Sequence, residues 1–309
     1  MVSVPLPGVD QEHLACSDLA RLRAIVEMET TARDDERDRN RVAVLRDCLA
    51  WLEAQTDHAH RTAVRDLLES ESARGVAGVW SGHGRQLNIV RATGIDGARE
   101  ARGTVVVIDV LRSFTVSAYA LAGGARECRL VRTVDEARDL AARTPGAILC
   151  AEENTLPVEG IAISNSPTKI RELDMNDRVL IQRSSAGTQV AAAVVQSNDI
   201  LAASLVVAGA TAQACLLRDP ETLWLIASAD HPEDHACAIY IEALIRGEKP
   251  DLDHLLKPLR ATDRYQKLMR GDWPGFPASD LDLALTADRF DFAMPVTKEA
   301  GYLRVTASF

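Results

Sequence analysis

The chain has 309 residues, 47% hydrophobic and 26% charged, a composition that excludes a disordered protein and allows one large α/β core or two domains. A formal net charge of −10 disfavours nucleic acid, although a bound cation or a local arginine cluster can still draw an anionic metabolite into a pocket. There is no leader-like start, no apolar run of membrane-spanning length and no metal-ligand spacing among the six cysteines, so a cytoplasmic protein with reduced thiols and no membrane partner is expected.

From Asp10 to Ser72 the pattern is helical, with Leu14, Leu19, Leu22, Ile25 and Val26 on one stripe and Val42, Leu45, Leu49 and Leu52 on another. Residues 1–78 therefore read as a small helical extension, a packing appendage rather than a lid, and residues 79–309 as the main domain. In the latter, Gln86–Arg91 reads as a strand, and Thr104–Ile108, apolar on both faces, as a buried central one. Further strands are expected at Arg126–Val131, Ala147–Cys150, Arg178–Ile181, Ile200–Leu205 and Thr222–Ser228. Helices alternate with them at Ser113–Ala122, Val134–Arg143, Pro167–Leu173, Thr188–Gln196, Ala210–Leu217 and Glu233–Arg246. This alternation predicts an α/β fold, three-layer α/β/α with a largely parallel or mixed sheet. The tail from Leu255 is expected to pack on that core.

Ligands of such sheets bind beyond the carboxyl ends of the strands, where polar residues of this chain gather. Asp109 follows the central strand directly and can ligate Mg²⁺ or attack phosphorus. Arg112 offers a forked donor to phosphate oxygens, and Ser113 a helix cap and an anion-binding amide. The alternative is an Asp109–Arg112 ion pair on a capped helix. Arg183-Ser184-Ser185-Ala186-Gly187-Thr188 brings hydroxyls, a glycine and successive amides to a helix start and suits an oxyanion. Asn165-Ser166-Pro167 is a cap with proline at the first helical position. Glu233 and Asp234 open another helix, flanked by His231 and His235, which alone are too few for zinc. Glu152 lies just past the strand ending at Cys150.

Together these segments resemble the 2-phosphosulfolactate phosphatase family, from about Gly82 to the C-terminus. The resemblance rests on Asp109-Val-Leu-Arg112-Ser-Phe-Thr115, Ile163-Ser-Asn165-Ser166-Pro167, Arg183-Ser-Ser-Ala-Gly187-Thr188, Glu233-Asp234 with Cys237-Ala, and Phe276-Pro with Asp280-Leu and Asp288-Arg289-Phe290-Asp291-Phe292 in order. It implies a Mg²⁺-dependent hydrolase removing phosphate from a small sulfonated and carboxylated acid on the coenzyme M pathway. By position, Asp109, Arg112, Glu152 and Asp234 are implied in catalysis, and Asp109, Glu152, Glu233 and Asp234 in metal binding. Ser113, Asn165, Ser166, Arg183, Ser184, Ser185, Gly187 and Thr188 are implied in substrate binding. The chain departs at Glu153, where many members have arginine, and at Ala186 and Gln189, where many have asparagine and arginine. These departures leave open a non-catalytic protein that binds an anionic metabolite. A haloacid-dehalogenase-like route through an aspartyl phosphate is the other alternative, weakened because the second aspartate of those enzymes is Leu111 here. A homodimer is compatible with the chain, although no residue specifies one.

Overall fold

The computed structural model describes residues 87–309, so the helical extension expected over residues 1–78 lies outside the described residues. The chain runs through β1 (Asn88–Thr93), α1 (Gly94–Glu100), β2 (Thr104–Ile108), α2 (Ser113–Ala122) and β3 (Glu127–Leu130). It continues through α3 (Val134–Ala142), β4 (Ile148–Glu153), β5 (Leu156–Pro157), α4 (Pro167–Arg171), β6 (Val179–Arg183), α5 (Gly187–Ala193) and β7 (Asp199–Ala203). A 3-10 turn (Leu205–Val207) then leads to α6 (Ala208–Arg218), β8 (Thr222–Ala227) and α7 (Pro232–Ile245). Four short helices follow, α8 (Leu252–Leu255), α9 (Lys257–Arg260), α10 (Asp263–Met269) and α11 (Ser279–Ala284), before a hairpin of β9 (Met294–Glu299) and β10 (Tyr302–Val305).

The ten strands form one mixed sheet in the order β1-β8-β2-β7-β9-β10-β3-β6-β4-β5. β1, β8, β2 and β7 are parallel, as are β3, β6 and β4. The C-terminal hairpin joins these halves, β9 pairing antiparallel with β7 and β10 antiparallel with β3. The tail thus belongs to the core, its last two strands forming the middle of the sheet. Following the pairings across, β3-β6-β4 runs opposite in sense to β1-β8-β2-β7. The right-handed strand twist, about 20–25° per step, curls diagonally opposite corners of such a sheet toward one face. That curl lets the carboxyl ends of β2 and β6 approach each other, although they lie at opposite edges of a flat sheet.

Alternation sorts the core into layers. Val105, Val107, Ile200, Ala202 and Ile226 pack with Phe114 and Tyr119 of α2 and Val190 of α5, whereas Val106, Ile108, Leu201, Ala203 and Leu225 pack with Cys215 of α6 and Ile241 of α7. In the other half, Val131, Val179 and Ile181 pack on Ala137 of α3. Ile108 stands opposite Ala203 and Ala227, and by alternation the next residue, Asp109, turns toward the face covered by α2 and α5. The central strand thus both fills the core and aims its terminal carboxylate.

Two boundaries differ from the periodicity in ways that matter to the site. β4 continues through Glu153 and pairs Glu152 with Pro157, so Glu152 lies within a strand and not beyond one. β6 likewise includes Arg183, placing the Ser184 turn one residue past the ladder. Cys128, Cys150, Cys215 and Cys237 are free and buried, as expected of small apolar side chains. No helix of the described residues is long and apolar enough to cross a membrane.

Candidate active site

Asp109 is 5% exposed and held by two backbone amides, Ser113 N donating to Oδ1 at 3.0 Å and Gly187 N to Oδ2 at 2.8 Å. The second of these bonds spans the two halves of the sheet. Gly187 is required there: a Cβ at its position would stand 2.5 Å from Asp109 Oδ2 and 3.0 Å from its Cβ. Burial, followed by the neighbouring Glu152 carboxylate, pushes the Asp109 pKa up to about 6, against the lowering effect of the two amides and Ser228.

Asp234, in the first turn of α7, accepts from Val110 N at 2.8 Å through Oδ1 and from Ser228 Oγ at 3.0 Å through Oδ2. Its pKa is raised well above the ordinary carboxylate value, by burial first, then by the charges of Asp109 and Glu233. Glu233 is bonded elsewhere: Oε1 receives Arg264 Nη1 of α10 at 2.5 Å, and Oε2, fully enclosed, has no hydrogen-bond partner among the described residues. The adjacent acids at 233 and 234, alike in sequence, therefore belong to different environments. His231 lies between them and α10, its pKa lowered by burial and then by Arg264.

Arg112 is not the partner of Asp109. Its Nη1 donates to Gly275 O at 2.7 Å and Asp280 Oδ2 at 3.0 Å, its Nη2 contacts Glu152 Oε2 at 3.3 Å, and the guanidinium lies 4.1 Å from the centre of the Phe276 ring. The ion pair expected as the alternative for Asp109 is thus formed with two other carboxylates. Asp280, wholly buried, also accepts from Ser166 Oγ at 2.8 Å and Thr168 N at 3.0 Å. Gly275, at φ +70°, turns its carbonyl into this knot and also accepts Ser164 Oγ at 3.0 Å; a Cβ there would meet that same Oγ at 2.4 Å.

The amides read from sequence as an oxyanion cradle are largely taken by the protein's own acceptors. Ser113 N and Gly187 N serve Asp109, Ser185 N contacts Glu152 Oε1 at 3.4 Å, and Ser184 and Thr188 bond each other reciprocally, N to Oγ1 at 3.0 Å and N to Oγ at 2.9 Å. Asn165 Nδ2 donates to Arg183 O at 2.9 Å and its Oδ1 accepts Gln182 Nε2 at 2.7 Å; Gln182 in turn donates to Ser113 O at 2.8 Å. Arg183 donates to the carbonyls of Glu152 and Arg132 and lies 3.5 Å from Glu153. The structure therefore brings Asp109, Arg112, Ser113, Glu152, Asn165, Ser166, Arg183, Ser184, Ser185, Gly187, Thr188 and Asp234 into one connected polar network, with Glu233 at its margin. Ser228, Gln182 and Asp280 join it without having been singled out as site residues; Asp280 alone carried a signal, its place in the ordered motifs.

Among the described residues no three metal-binding side chains converge into a closed cage. Mg²⁺ does not need one, since it keeps several waters and takes one or two carboxylates together with phosphate. Each oxygen of Asp109 and Asp234 accepts one of the bonds above, and a carboxylate oxygen has a second lone pair. Two buried acids with lone pairs to spare fit a hard divalent cation.

The family model described as 2-phosphosulpholactate phosphatase matches residues 91–296, which include every residue of this network. The chain is 31% identical over 200 residues to a probable 2-phosphosulfolactate phosphatase of Bacillus subtilis, covering 63% of this chain and 87% of that protein. A probable 2-phosphosulfolactate phosphatase of Carboxydothermus hydrogenoformans is 33% identical over 148 residues, 47% of this chain and 61% of its own length. One from Thermotoga petrophila is 36% identical over 101 residues, 33% of this chain and 43% of its own length.

Proposed function

The chain belongs to the 2-phosphosulfolactate phosphatase family of phosphoric monoester hydrolases, and on that premise we propose that it releases phosphate from a small, multiply acidic monoester, 2-phosphosulfolactate or a close analogue, with Mg²⁺ as cofactor. The observation that carries this reading is the buried Asp109–Asp234 pair, which bonds only to neutral donors and stands within one network with Arg112 and the turn at 184–188. Two desolvated carboxylates, near enough that the charge of Asp109 raises the pKa of Asp234, favour either a retained proton or a cation.

Asp109 and Asp234 would hold the Mg²⁺, with Glu152 beside them. Bound there, the cation supplies charge neutralisation at the phosphoryl oxygens. The protein's own contribution is positioning. The Ser113 and Gly187 amides fix both oxygens of Asp109, and the Ser184–Thr188 reciprocal pair fixes the turn that carries Gly187. Arg112, clamped by Asp280, keeps its Nη2 against Glu152 at 3.3 Å, and that nitrogen is the donor for an equatorial oxygen. Position 111 is a leucine packed against the cluster of Leu268, Phe276 and Leu281, so no carboxyl group stands there to serve as the acid of an aspartyl-phosphate route.

Phosphate release from 2-phosphosulfolactate and a panel of other phosphomonoesters, with Mg²⁺ and with chelator, tests the proposal. Turnover that requires the metal is expected. Tight binding of one ester with no turnover of any would instead establish the non-catalytic binding protein. Within the hydrolase reading, Gly187→Ala forces Asp109 out of place, and displacement of a reacting group by about 1 Å costs on the order of 100-fold in rate. The variant is expected to lose about that much in kcat while its circular-dichroism spectrum stays native; full activity would show that the Gly187–Asp109 approach is not needed.

A further inference from the structure

A substrate with acid groups besides its phosphate needs a cation to receive them, and most arginines of this site are already engaged. Arg112 is 3% exposed in its side chain and bonded to Asp280, Glu152 and Gly275 O. Arg183 is 12% exposed and bonded to the carbonyls of Glu152 and Arg132, with Glu153 beside it. Gln189 turns its amide to Arg132 O and Ser184 O. Arg264 differs. Its side chain is 25% exposed, and among the described residues its nitrogens have one bond, from Nη1 to Glu233. That carboxylate is itself fully buried, with its second oxygen unpartnered, an expensive arrangement unless it orients the guanidinium.

Arg264 is linked to the reacting groups through its partner and its helix. Glu233, its partner, immediately precedes Asp234, which holds Val110 N next to Asp109. Its helical neighbour Tyr265 packs with Leu111 on the cluster of Leu268, Phe276 and Leu281, and Phe276 supports Arg112. α10 is thereby fixed against the very turn that carries Asp109 and Arg112. An arginine presents five donors in a planar fork, so Nη2 and Nε remain available for a second acceptor.

We propose that Arg264, oriented by the buried Glu233, receives the carboxylate or sulfonate of the substrate and so determines the specificity of the site for phosphorylated acids over simple phosphomonoesters. This rests on the hydrolase reading and adds a recognition residue to it. Three substrates separate the contributions: 2-phosphosulfolactate, phospholactate, which has the carboxylate alone, and p-nitrophenyl phosphate, which has neither acid.

For Arg264→Met in the full chain, the ratio of kcat/KM for 2-phosphosulfolactate to that for p-nitrophenyl phosphate is expected to fall about 10-fold to 100-fold, through KM, as for loss of a bond between charged groups. Arg264→Lys should retain part of it. If phospholactate loses as much as 2-phosphosulfolactate, the carboxylate is the group received; if it loses nothing, the sulfonate is. An unchanged ratio, whether both substrates fall together or neither falls, overturns the assignment and leaves Arg264 a structural partner of Glu233. Should the wild type release no phosphate from any ester, the hydrolase reading fails on its own account. Calorimetric binding of 2-phosphosulfolactate then decides: at least 10-fold weaker binding to Arg264→Met than to wild type supports the acid-group receptor, and equal affinity removes it.

Discussion

Asp234→Asn is expected to abolish metal-dependent turnover, by on the order of 100-fold or more, while making the metal-free protein more stable at pH 8. The geometry permits the replacement, because the amide oxygen can keep Val110 N and the amide nitrogen can donate to Ser228 Oγ. The stability gain follows from linkage. Asp234 and Asp109 both titrate above their ordinary value, Asp109 at about 6, so the folded protein keeps protons that the unfolded chain has released once the pH exceeds about 4. Stability of the metal-free wild type therefore falls as pH rises from about 4 until the buried carboxyl groups of the folded protein have themselves ionised. A neutral asparagine removes one contributor to the fall. Melting curves in chelator should show wild type and variant converging below about pH 4 and the variant a few degrees higher at pH 8. A variant less stable than wild type at pH 8 would mean that the Asp234 charge is stabilised by the fold itself, contrary to the argument from burial.

Arg112→Met should cost stability as well as activity. It leaves Asp280, wholly buried, with only Ser166 Oγ and Thr168 N, and it frees Gly275 O from its closest donor. Breaking a buried pair by removing one partner costs about 3–5 kcal/mol. At about 2–4 °C per kcal/mol for a domain of this size, the melting temperature should fall by roughly 10 °C. Asp280→Asn combined with Arg112→Met should cost less than the sum of the single changes, a coupling of about 0.5–3 kcal/mol, since the stranded charge is then gone. Loss below about 1 kcal/mol in Arg112→Met would place the pair in an environment far wetter than its burial indicates.

These two experiments address groups whose types were legible in the sequence and whose partners were not. A β-branched apolar run ending in Asp109 specifies a buried strand with a carboxylate at its mouth, and alternation along β2, β7 and β8 is enough to fix which face that carboxylate meets. The small-residue turn at 184–188 was equally readable as a helix start. Its acceptor was not, because the carboxylate it binds lies 78 residues earlier and reaches it only through the curl of the whole sheet. The same holds for Arg112, whose partner Asp280 is 168 residues away in a segment read as a tail. That tail also supplies β9 and β10, which carry no crossover helix and so escape a reading built on strand–helix alternation. Local periodicity reports elements, whereas a sheet whose middle strands come last in the chain is decided by long-range pairing.

The account stands on Asp109 and Asp234 sharing one cation beside the Arg112 guanidinium. A crystal structure of the full chain with Mg²⁺ and inorganic phosphate measures this directly. Density for the ion between the two carboxylates, with a phosphate oxygen in its coordination sphere and another near Arg112, is the predicted result. An ordered ion and phosphate bound elsewhere on the molecule, with Asp109 and Asp234 free of metal, would contradict it.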